Sequence, residues 1–270
     1  MTMTKGKETM AISGEEVKAF ARERGADVVG IASVSEYHGP VDQLGSPFLV
    51  MPEAKTLISI GVAMLLGSIR SNSRIATMDS VKMYDELRRI GYDVGRFVER
   101  RGYMAATVPP TFMMTNTIET KGMVADIPHK AVAVAAGVGA IGNGDLLVTP
   151  QFGPRVRLAT VVTSAPIEPD KRLDWDPCGN CHKCAAVCPV GAISPDGKGM
   201  AKPMRCFHRT EKHGMPDLIK FIEGMLVKSN AERIEAVRAP SFWDLYQVAG
   251  VGVFYDCLKC VESCPVGKRS

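Results

Sequence analysis

Residues 176–193 read DPCGNCHKCAAVCPVGAI, and the cysteines in this stretch decide how the second part of the chain folds. Four cysteines are separated by two, two and three residues, and Pro189 follows the last of them. Bacterial proteins use this spacing to supply three thiolates to one 4Fe–4S cluster and the fourth thiolate to a neighbouring cluster. The stretch therefore predicts a ferredoxin-like domain, with a first cysteine run made of Cys178, Cys181, Cys184 and Cys188.

A second cysteine run, DCLKCVESCPVG, lies at residues 256–267 and also ends in a cysteine–proline pair. It lacks the third cysteine of a full set, and Cys206 in KPMRCFHRT is the only cysteine outside both runs. The eight cysteines thus divide into two sets of four, one for each cluster. The first set is Cys178, Cys181, Cys184 and Cys264, and the second set is Cys188, Cys206, Cys257 and Cys260.

Thiolates suit this task because the iron of such clusters binds soft, anionic sulfur. All eight cysteines lie after residue 177, which is not the distribution of a disulfide framework. Two structural zinc sites are the alternative interpretation, in which His182 and His208 could compete as ligands. The two cysteine–proline endings favour iron–sulfur clusters, and we interpret both histidines as surface residues or as neighbours of the ligands.

The bulk composition excludes several functions. The chain has 270 residues and a net charge of +4, without a block of like charges that would indicate nucleic acid as a partner. Its apolar runs are shorter than the roughly 18 residues of a membrane span, and no export signal is visible. We expect a cytoplasmic protein without membrane contact. The proline-rich stretch APIEPDKRLDWDP suggests two domains, residues 1–170 and residues 171–270.

The first domain has the pattern of a mixed α and β fold. A helix capped by Ser13 precedes a strand at DVVGIA, and KTLISIGVAML and YMAATVP predict two further strands. Apolar residues recur at helical spacing over residues 80–102, and TFMMTNTIETKGMVADIPH is polar enough to be a long loop. An alanine-rich helix then leads into glycines and into the strands DLLVT and RVRLATVVT.

The sequence GVGAIG, with Gly137, Gly139 and Gly142, matches the G-x-G-x-x-G pattern of dinucleotide-binding sites. That pattern indicates a nucleotide only where a strand precedes the glycines and a helix follows them. Here the predicted order is helix, glycines, strand. We therefore predict a tight turn, at which the backbone could still approach another flat ligand closely.

The stretch HKAVAVAAGVGAIGNGDLLVTPQFGPRVRLATVVTSAPIEPD, followed by the two cysteine runs, resembles the corrinoid-dependent iron–sulfur reductases. This family includes epoxyqueuosine reductase and the reductive dehalogenases, and the resemblance extends to MPEAKTLISIGVAM and MYDELRRIGYDVGRFVERRGYMA. It implies an α+β protein: a nitroreductase-like α/β domain that binds cobalamin, followed by a ferredoxin-like domain with two 4Fe–4S clusters. The chain has no counterpart of the C-terminal region with which epoxyqueuosine reductase grips transfer RNA, so we do not expect nucleic acid.

The resemblance also implies catalytic residues. Tyr84 matches a tyrosine-bearing helix that faces the corrinoid pocket and would be a proton donor, although a core aromatic residue fits the same position. Asp126 lies close to the catalytic aspartate of epoxyqueuosine reductase and would be a general acid, with a helix N-cap or an exposed loop carboxylate as the alternative. Lys130, near the start of the next helix, would contact substrate or the corrinoid, unless it is simply solvated.

A further group of residues would bind the corrinoid if the resemblance holds. His129 would contact its side groups, and the glycines of GVGAIG would let the backbone approach the corrin ring. Arg155 and Arg157 would bind its polar periphery, although alternation in RVRLATV would also place both arginines on the open face of an edge strand. The predicted set is His129, Gly137, Gly139, Gly142, Arg155 and Arg157.

These observations predict an oxidoreductase that passes electrons through two 4Fe–4S clusters to a corrinoid and reductively cleaves a small-molecule substrate. An external electron donor such as ferredoxin or flavodoxin would supply the electrons, and the chain could form a homodimer. An electron-transfer protein that serves another protein, without a substrate of its own, is the alternative. A flavin enzyme is a third interpretation, because nitroreductase-like domains often bind flavin.

Overall fold

A computed structural model describes residues 9–39, 45–110, 125–196, 199–210, 215–251 and 257–267. The chain divides into two compact units, each built from more than one segment. Unit 1 consists of Met1–Met64, Lys82–Gly179 and Pro265–Ser270, and unit 2 consists of Leu65–Val81 and Asn180–Cys264. These units are not the two domains predicted from the sequence, and the predicted boundary near residue 170 stays a prediction.

Unit 1 is built on a four-stranded antiparallel sheet with the order β1-β2-β6-β3. A short hairpin, formed by β4 and β5, lies outside this sheet. Because side chains alternate between the two faces of a strand, the sheet presents an apolar surface on each side. The strands are β1 (Val28–Ser33), β2 (Thr56–Ala63), β3 (Ala105–Val108), β4 (Ala140–Ile141), β5 (Leu147–Val148) and β6 (Val156–Thr163).

Helices cover both faces of this sheet. On one face α1 and the C-terminal part of α4 pack against β2, with Leu87 and Ile90 against the same apolar cluster as Ile58. On the other face α5 packs through Val132 against a cluster that contains Leu57. Burying each large aliphatic side chain stabilises the fold by about 1.5–3 kcal/mol. The helices in or entering unit 1 are α1 (Gly14–Glu23), α2 (Pro47–Val50), α4 (Ser73–Glu99) and α5 (His129–Ala135).

Unit 2 is helical and has a small apolar core. The described apolar side chains that are buried there include Ile69, Ala192, Ile193, Val248 and Val261. Many others in this unit are exposed. Its helices are α3 (Leu66–Arg70), the start of α4, α6 (Lys183–Ala186), α7 (Pro203–Thr210), α8 (Met215–Leu226), α9 (Asn230–Arg238), α10 (Pro240–Val251) and α11 (Lys259–Ser263).

Most of the predicted elements of unit 1 are confirmed, including the mixed α and β character. Ser13 and Glu16 form the predicted capping box at the start of α1. The long helix begins at Ser73 instead of near Ser80, and Ile75 N donates to Asn72 Oδ1 across 3.1 Å in its first turn. Most of the predicted loop TFMMTNTIETKGMVADIPH lies outside the described residues. Among the helices that the structure describes, none has the length and apolarity to cross a membrane.

Candidate functional site

The two cysteine runs contain a repeated segment, CHKCAAVCP at residues 181–189 and CLKCVESCP at residues 257–265. The residue after the first cysteine is the N-cap of a short helix in both copies, with nearly identical backbone angles (His182 φ −116°, ψ 17°; Leu258 φ −110°, ψ 16°). The helices are α6 and α11, which pack against each other in unit 2. Each helix carries the middle cysteine of its segment, so the same local fold presents two sets of thiols.

Cys260 lies at the centre of a group of thiols in unit 2. Burial raises its pKa to about 12, and the nearby thiols of Cys206, Cys257 and Cys184 add to this effect. Cys206, Cys257 and Cys260 all belong to the predicted second set, so the structure brings together residues that lie more than 50 positions apart in the sequence. Buried thiolates this close to each other repel unless cations are bound among them.

The thiol of Cys188 is surrounded by backbone amides. Ala192 N donates to Cys188 Sγ across 3.2 Å, within the loop that follows the cysteine–proline pair. Burial opposes ionisation of the thiol. Hydrogen bonds from Ala192, Val190, Ile193 and Gly191 outweigh burial, so the pKa of Cys188 is lowered. A thiol whose anion is stabilised in this way is suited to bind iron.

Cys178 belongs to unit 1 and is held by two neighbours there. Its backbone N–H donates to Asp176 Oδ1 across 2.9 Å, and its Sγ accepts a hydrogen bond of 3.3 Å from Asn143 N. A methyl group at Gly142 would lie only 3.0 Å from this Sγ. Sequence reasoning missed this contact, because a glycine motif such as GVGAIG indicates a turn or a ligand and carries no signal for a distant cysteine.

The cysteines fit the predicted clusters in their chemistry. Among the described residues the eight cysteines form no disulfide. No three His, Cys, Asp or Glu side chains in that part of the chain are close enough to hold a single metal ion. Each thiolate of a 4Fe–4S cluster would bind a different iron atom, so the ligands of a cluster stand further apart than those of one ion. His182 and His208 are both exposed, as interpreted from the sequence.

The other glycines of GVGAIG also contact the chain itself. A side chain at Gly137 would meet the carbonyl oxygen of Lys171, and one at Gly139 would meet the carbonyl oxygen of Val148. Gly137 has φ +66°, a left-handed conformation that favours glycine. The order of α5, glycines and β4 confirms the predicted helix-to-strand turn and differs from that of a dinucleotide site. Contact of these glycines with a corrinoid stays a prediction.

His129 and Lys130 begin α5 and have partners within unit 1. His129 Nε2 donates to the Pro109 carbonyl oxygen across 2.9 Å, so its Nδ1 accepts from the Thr160 hydroxyl across 2.8 Å. Burial lowers the pKa of His129, which the hydrogen bond to Pro109 only partly offsets. Lys130 Nζ is exposed and lies 2.6 Å from the carbonyl oxygen of Asp145 and 3.2 Å from its carboxylate.

Asp126 is exposed, two residues before the N-cap of α5. That cap is Pro128 and has no side-chain hydrogen bond, so the interpretation of Asp126 as the N-cap is wrong. The other alternative, an exposed carboxylate, agrees with its position. Its role as a general acid stays a prediction.

Tyr84 and the two arginines lie around the β6 strand. The guanidinium of Arg157 lies 5.7 Å from the centre of the Tyr84 ring, on the face of the sheet that α4 covers. Arg155 Nη1 donates to the Met64 carbonyl oxygen across 2.5 Å. Its Nε is buried and has no hydrogen-bond partner among the described residues. Strand β6 pairs with β2 along its whole length but with β3 only over residues 160–163, so Arg157 lies where β6 has a neighbouring strand on one side. The edge-strand alternative therefore stays a prediction.

A cleft of about 410 Å³ opens in unit 1 beside this region. It lies between α4, the end of β3 and β6, and its walls include Tyr92, Thr107, Pro109 and Thr160. His129 bonds to two of these residues, Pro109 and Thr160. The structure therefore brings His129 close to a cleft of the size that a small molecule can occupy. Sequence periodicity gave no signal for this cleft.

Comparisons with known proteins agree with this chemistry. Residues 171–194 match the family model of the 4Fe–4S binding domain. An epoxyqueuosine reductase from Bacillus cereus is 26% identical over 230 residues, which are 75% of this chain and 58% of that protein. A tetrachloroethene reductive dehalogenase from Desulfitobacterium hafniense is 34% identical over 131 residues, which are 47% of this chain and 21% of that protein.

Solved structures show the same fold. A B12-dependent reductive dehalogenase superposes with a TM-score of 0.60 and 21% identity, over 77% of this chain and 30% of that one. An epoxyqueuosine reductase solved with a transfer RNA stem loop gives a TM-score of 0.54 and 21% identity, over 73% of this chain and 56% of that one. Because that epoxyqueuosine reductase binds a transfer RNA stem loop, the expectation that this chain has no nucleic-acid partner is not supported.

The fold and the cysteine site define an iron–sulfur protein with a ferredoxin-type 4Fe–4S domain. Within that class the chain is a relative of the epoxyqueuosine reductases and the reductive dehalogenases, which confirms the resemblance seen in the sequence. It spans 58% of the length of the Bacillus cereus epoxyqueuosine reductase.

Proposed function

We propose that the chain is an oxidoreductase that passes electrons through two 4Fe–4S clusters to a bound corrinoid and thereby cleaves a small-molecule substrate reductively. The arrangement of thiols in unit 2 carries the proposal, because Cys260 is buried beside Cys206, Cys257 and Cys184. Such a group is unstable as bare thiolates and becomes favourable when iron is bound. The relatives named above support reduction as the reaction.

The protein residues would bind each cluster and set its electronic properties. The first set of cysteines would bind one cluster and the second set the other, as the sequence predicts. When bound, 4Fe–4S clusters accept and release single electrons. Hydrogen bonds from Asn143 N to Cys178 Sγ and from Ala192 N to Cys188 Sγ would stabilise charge on the ligands.

The proposed corrinoid rests mainly on the relatives, one of which is a B12-dependent dehalogenase. When bound, a corrinoid supplies low-valent cobalt chemistry that no side chain can provide. Arg155 fits this group best, because its buried Nε has no hydrogen-bond acceptor among the described residues. The glycines of GVGAIG fit less well, since protein atoms occupy the space beside each Cα. Flavin is the alternative cofactor.

Proton delivery is proposed for three side chains of unit 1. Asp126 is the first proposed donor, and its exposed position leaves its carboxyl group in contact with water. Tyr84, whose ring centre lies 5.7 Å from the Arg157 guanidinium, is the second proposed donor. Lys130 is held by Asp145 and would need to leave that ion pair to reach a substrate.

Anaerobic reconstitution tests this proposal. The chain is loaded with iron, sulfide and hydroxocobalamin, and iron, cobalt and flavin are then counted beside an absorbance spectrum. We expect about eight irons and one cobalt per chain. Tyr84→Phe and Asp126→Asn should bind the same metals and lose turnover with halogenated or epoxide substrates.

Other results of the reconstitution would separate the alternatives. Eight irons without cobalt or flavin would overturn the enzyme and favour an electron carrier for another protein. Flavin bound in place of cobalt would show that flavin, and not a corrinoid, is the cofactor of unit 1. A chain that binds zinc and no iron would contradict the whole proposal.

A further inference from the structure

Helix α7 presents basic side chains on both sides of Cys206. Arg205, His208 and Arg209 are all exposed, and Arg205 and Arg209 are one helical turn apart. Together with Pro189, Val190 and Gly191 they line an open cleft of about 700 Å³ in unit 2. These six residues form the α7 surface.

The α7 surface is built from chain neighbours of Cys188 and Cys206, two predicted ligands of the second cluster. Its Pro189–Gly191 wall is the loop that follows Cys188, and Arg205 Nη1 donates to the Val190 carbonyl oxygen across 3.4 Å. Arg209 also lines a second cleft, of about 230 Å³, whose walls include Cys257 and Lys259. Arg209 lies on the same helix as Cys206 and lines clefts with the segments that carry Cys188 and Cys257. These are three of the four thiols of the second set.

The excess positive charge of the chain lies in the segment that carries α6 and α7. Residues 181–210 contain five Lys and Arg residues and one Asp, a net charge of +4, which equals the net charge of the whole chain. The remaining residues carry equal numbers of basic and acidic side chains. A local excess of one sign steers oppositely charged partners to the surface that bears it.

We propose that the α7 surface is the docking site of an acidic one-electron carrier protein that reduces the second cluster. The reduced carrier would lose one electron and the oxidised cluster would gain it, with no bond made or broken. Nucleic acid would also be attracted by positive charge, but its binding does not require closeness to cluster ligands. The three cysteine-bearing segments around Arg209 therefore favour a redox protein. This inference rests on the proposed function.

Charge reversal tests the docking site. Arg209→Glu and Lys202→Glu change exposed basic residues near the second set, whereas Arg205 is left unchanged because it holds the Val190 loop. Arg238→Glu, on the exposed side of α9, makes the same change in net charge elsewhere in unit 2. Each variant is reconstituted, its iron is counted, and reduction by an acidic 2Fe–2S ferredoxin is followed by anaerobic stopped flow at several salt concentrations.

We expect Arg209→Glu to lower the second-order rate constant roughly tenfold at low salt, and Lys202→Glu to lower it less. Arg209→Lys should recover most of the rate constant. The rate constant of Arg238→Glu should stay close to that of the unchanged protein. The rate of the unchanged protein should fall steeply with salt, and that of Arg209→Glu much less.

Two results would overturn the docking site. One is an equal loss of rate in Arg209→Glu and Arg238→Glu. The other is an unchanged carrier rate in Arg209→Glu together with weakened binding of a transfer RNA stem loop, which would make the α7 surface a nucleic-acid site. Iron content and reduction by photoreduced deazaflavin, a small donor, are measured first. They test the clusters alone, so failure of the proposed function is seen separately from failure of docking.

Discussion

Gly142 allows a backbone amide to lie next to Cys178, a predicted cluster ligand. Because it has no side chain, the turn between β4 and β5 comes close enough for Asn143 N to donate to Cys178 Sγ across 3.3 Å. Such hydrogen bonds help to set the reduction potential of a cluster, since they stabilise the more negative, reduced state. Gly142 would therefore act on the proposed iron–sulfur site from outside the cysteine runs.

Gly142→Ala should lower the reduction potential of the cluster that Cys178 binds. The new methyl group would lie 3.0 Å from Cys178 Sγ and 2.9 Å from Val148 Cγ2, so the turn must move away and weaken the hydrogen bond. A redox titration followed by electron paramagnetic resonance measures the change. Gly224→Ala, in α8, is the control, because among the described residues no atom beyond the nearby chain lies within 4 Å of the new methyl group. Equal potentials in the two variants would contradict the role of Gly142.

His129 should make the stability of unit 1 depend on pH. Its pKa is lowered by burial from the ordinary value of 6.5, so the unfolded chain binds a proton more readily than the folded chain. The stabilisation from this residue is complete above about pH 6.5 and is lost as pH falls towards the lowered pKa.

Unfolding by urea at pH 7.5 and at pH 5.5 measures this effect. The loss of unfolding free energy at the lower pH should be smaller in His129→Gln, because glutamine does not titrate. Thr160→Val removes a hydrogen-bond partner but keeps the imidazole, so its pH dependence should persist. A pH dependence that is the same in His129→Gln and in the unchanged protein would refute the assignment.

At the scale of elements, the contact between α5 and β1 depends on Gly30. Its Cα faces the end of α5, where an added methyl group would meet the Ala136 carbonyl oxygen and lie 2.7 Å from Val138 Cγ2. This close approach lets α5 cover the sheet, and it holds the helix that begins with His129 and Lys130. The packing of one helix thereby positions the predicted substrate side of unit 1.

Gly30→Ala should lower the free energy of unfolding of unit 1 by about 1–3 kcal/mol, because the core there is already full. The comparison is Gly67→Ala in α3, where the described part of the chain has no atom within 4 Å of the new methyl group apart from the nearby helix backbone. Alanine is the better helix former, so this variant should be neutral or more stable by about 0.5–1 kcal/mol. Thermal and urea unfolding compare the two, and a neutral Gly30→Ala would show that α5 can shift without cost.

At the scale of the whole molecule, the two units differ in what stabilises them. Unit 1 buries apolar side chains on both faces of a sheet. Unit 2 buries few of its described apolar side chains. All cysteines of the chain except Cys178 lie in unit 2. A small domain of this kind usually gains its stability from bound metal.

Removing iron with a chelator should therefore unfold unit 2 and leave the sheet of unit 1 folded. Hydrogen exchange followed by mass spectrometry is the measurement. We expect amides of α6, α7 and α11 to lose protection, and those of β2 and β6 to keep it. The matched sample is the same protein incubated with the chelator already saturated with iron. Retained protection in α7 and α11 would show that unit 2 is stable without clusters.

The sequence by itself determined the cluster chemistry, because spacing within short runs such as Cys178 to Cys188 is a local property. Local patterns also predicted the strands of the sheet and the turn at GVGAIG, since periodicity and glycine reflect the immediate backbone. The family followed from the same runs and their surroundings.

Only the tertiary structure decided which distant residues meet. It placed Gly142 against Cys178, bonded His129 to Thr160, and set β6 between β2 and β3 in the sheet. It also brought Arg209 beside both Cys257 and the loop after Cys188. These contacts join residues far apart in the chain, and they follow from how helices and strands pack, which spacing within a short segment does not encode.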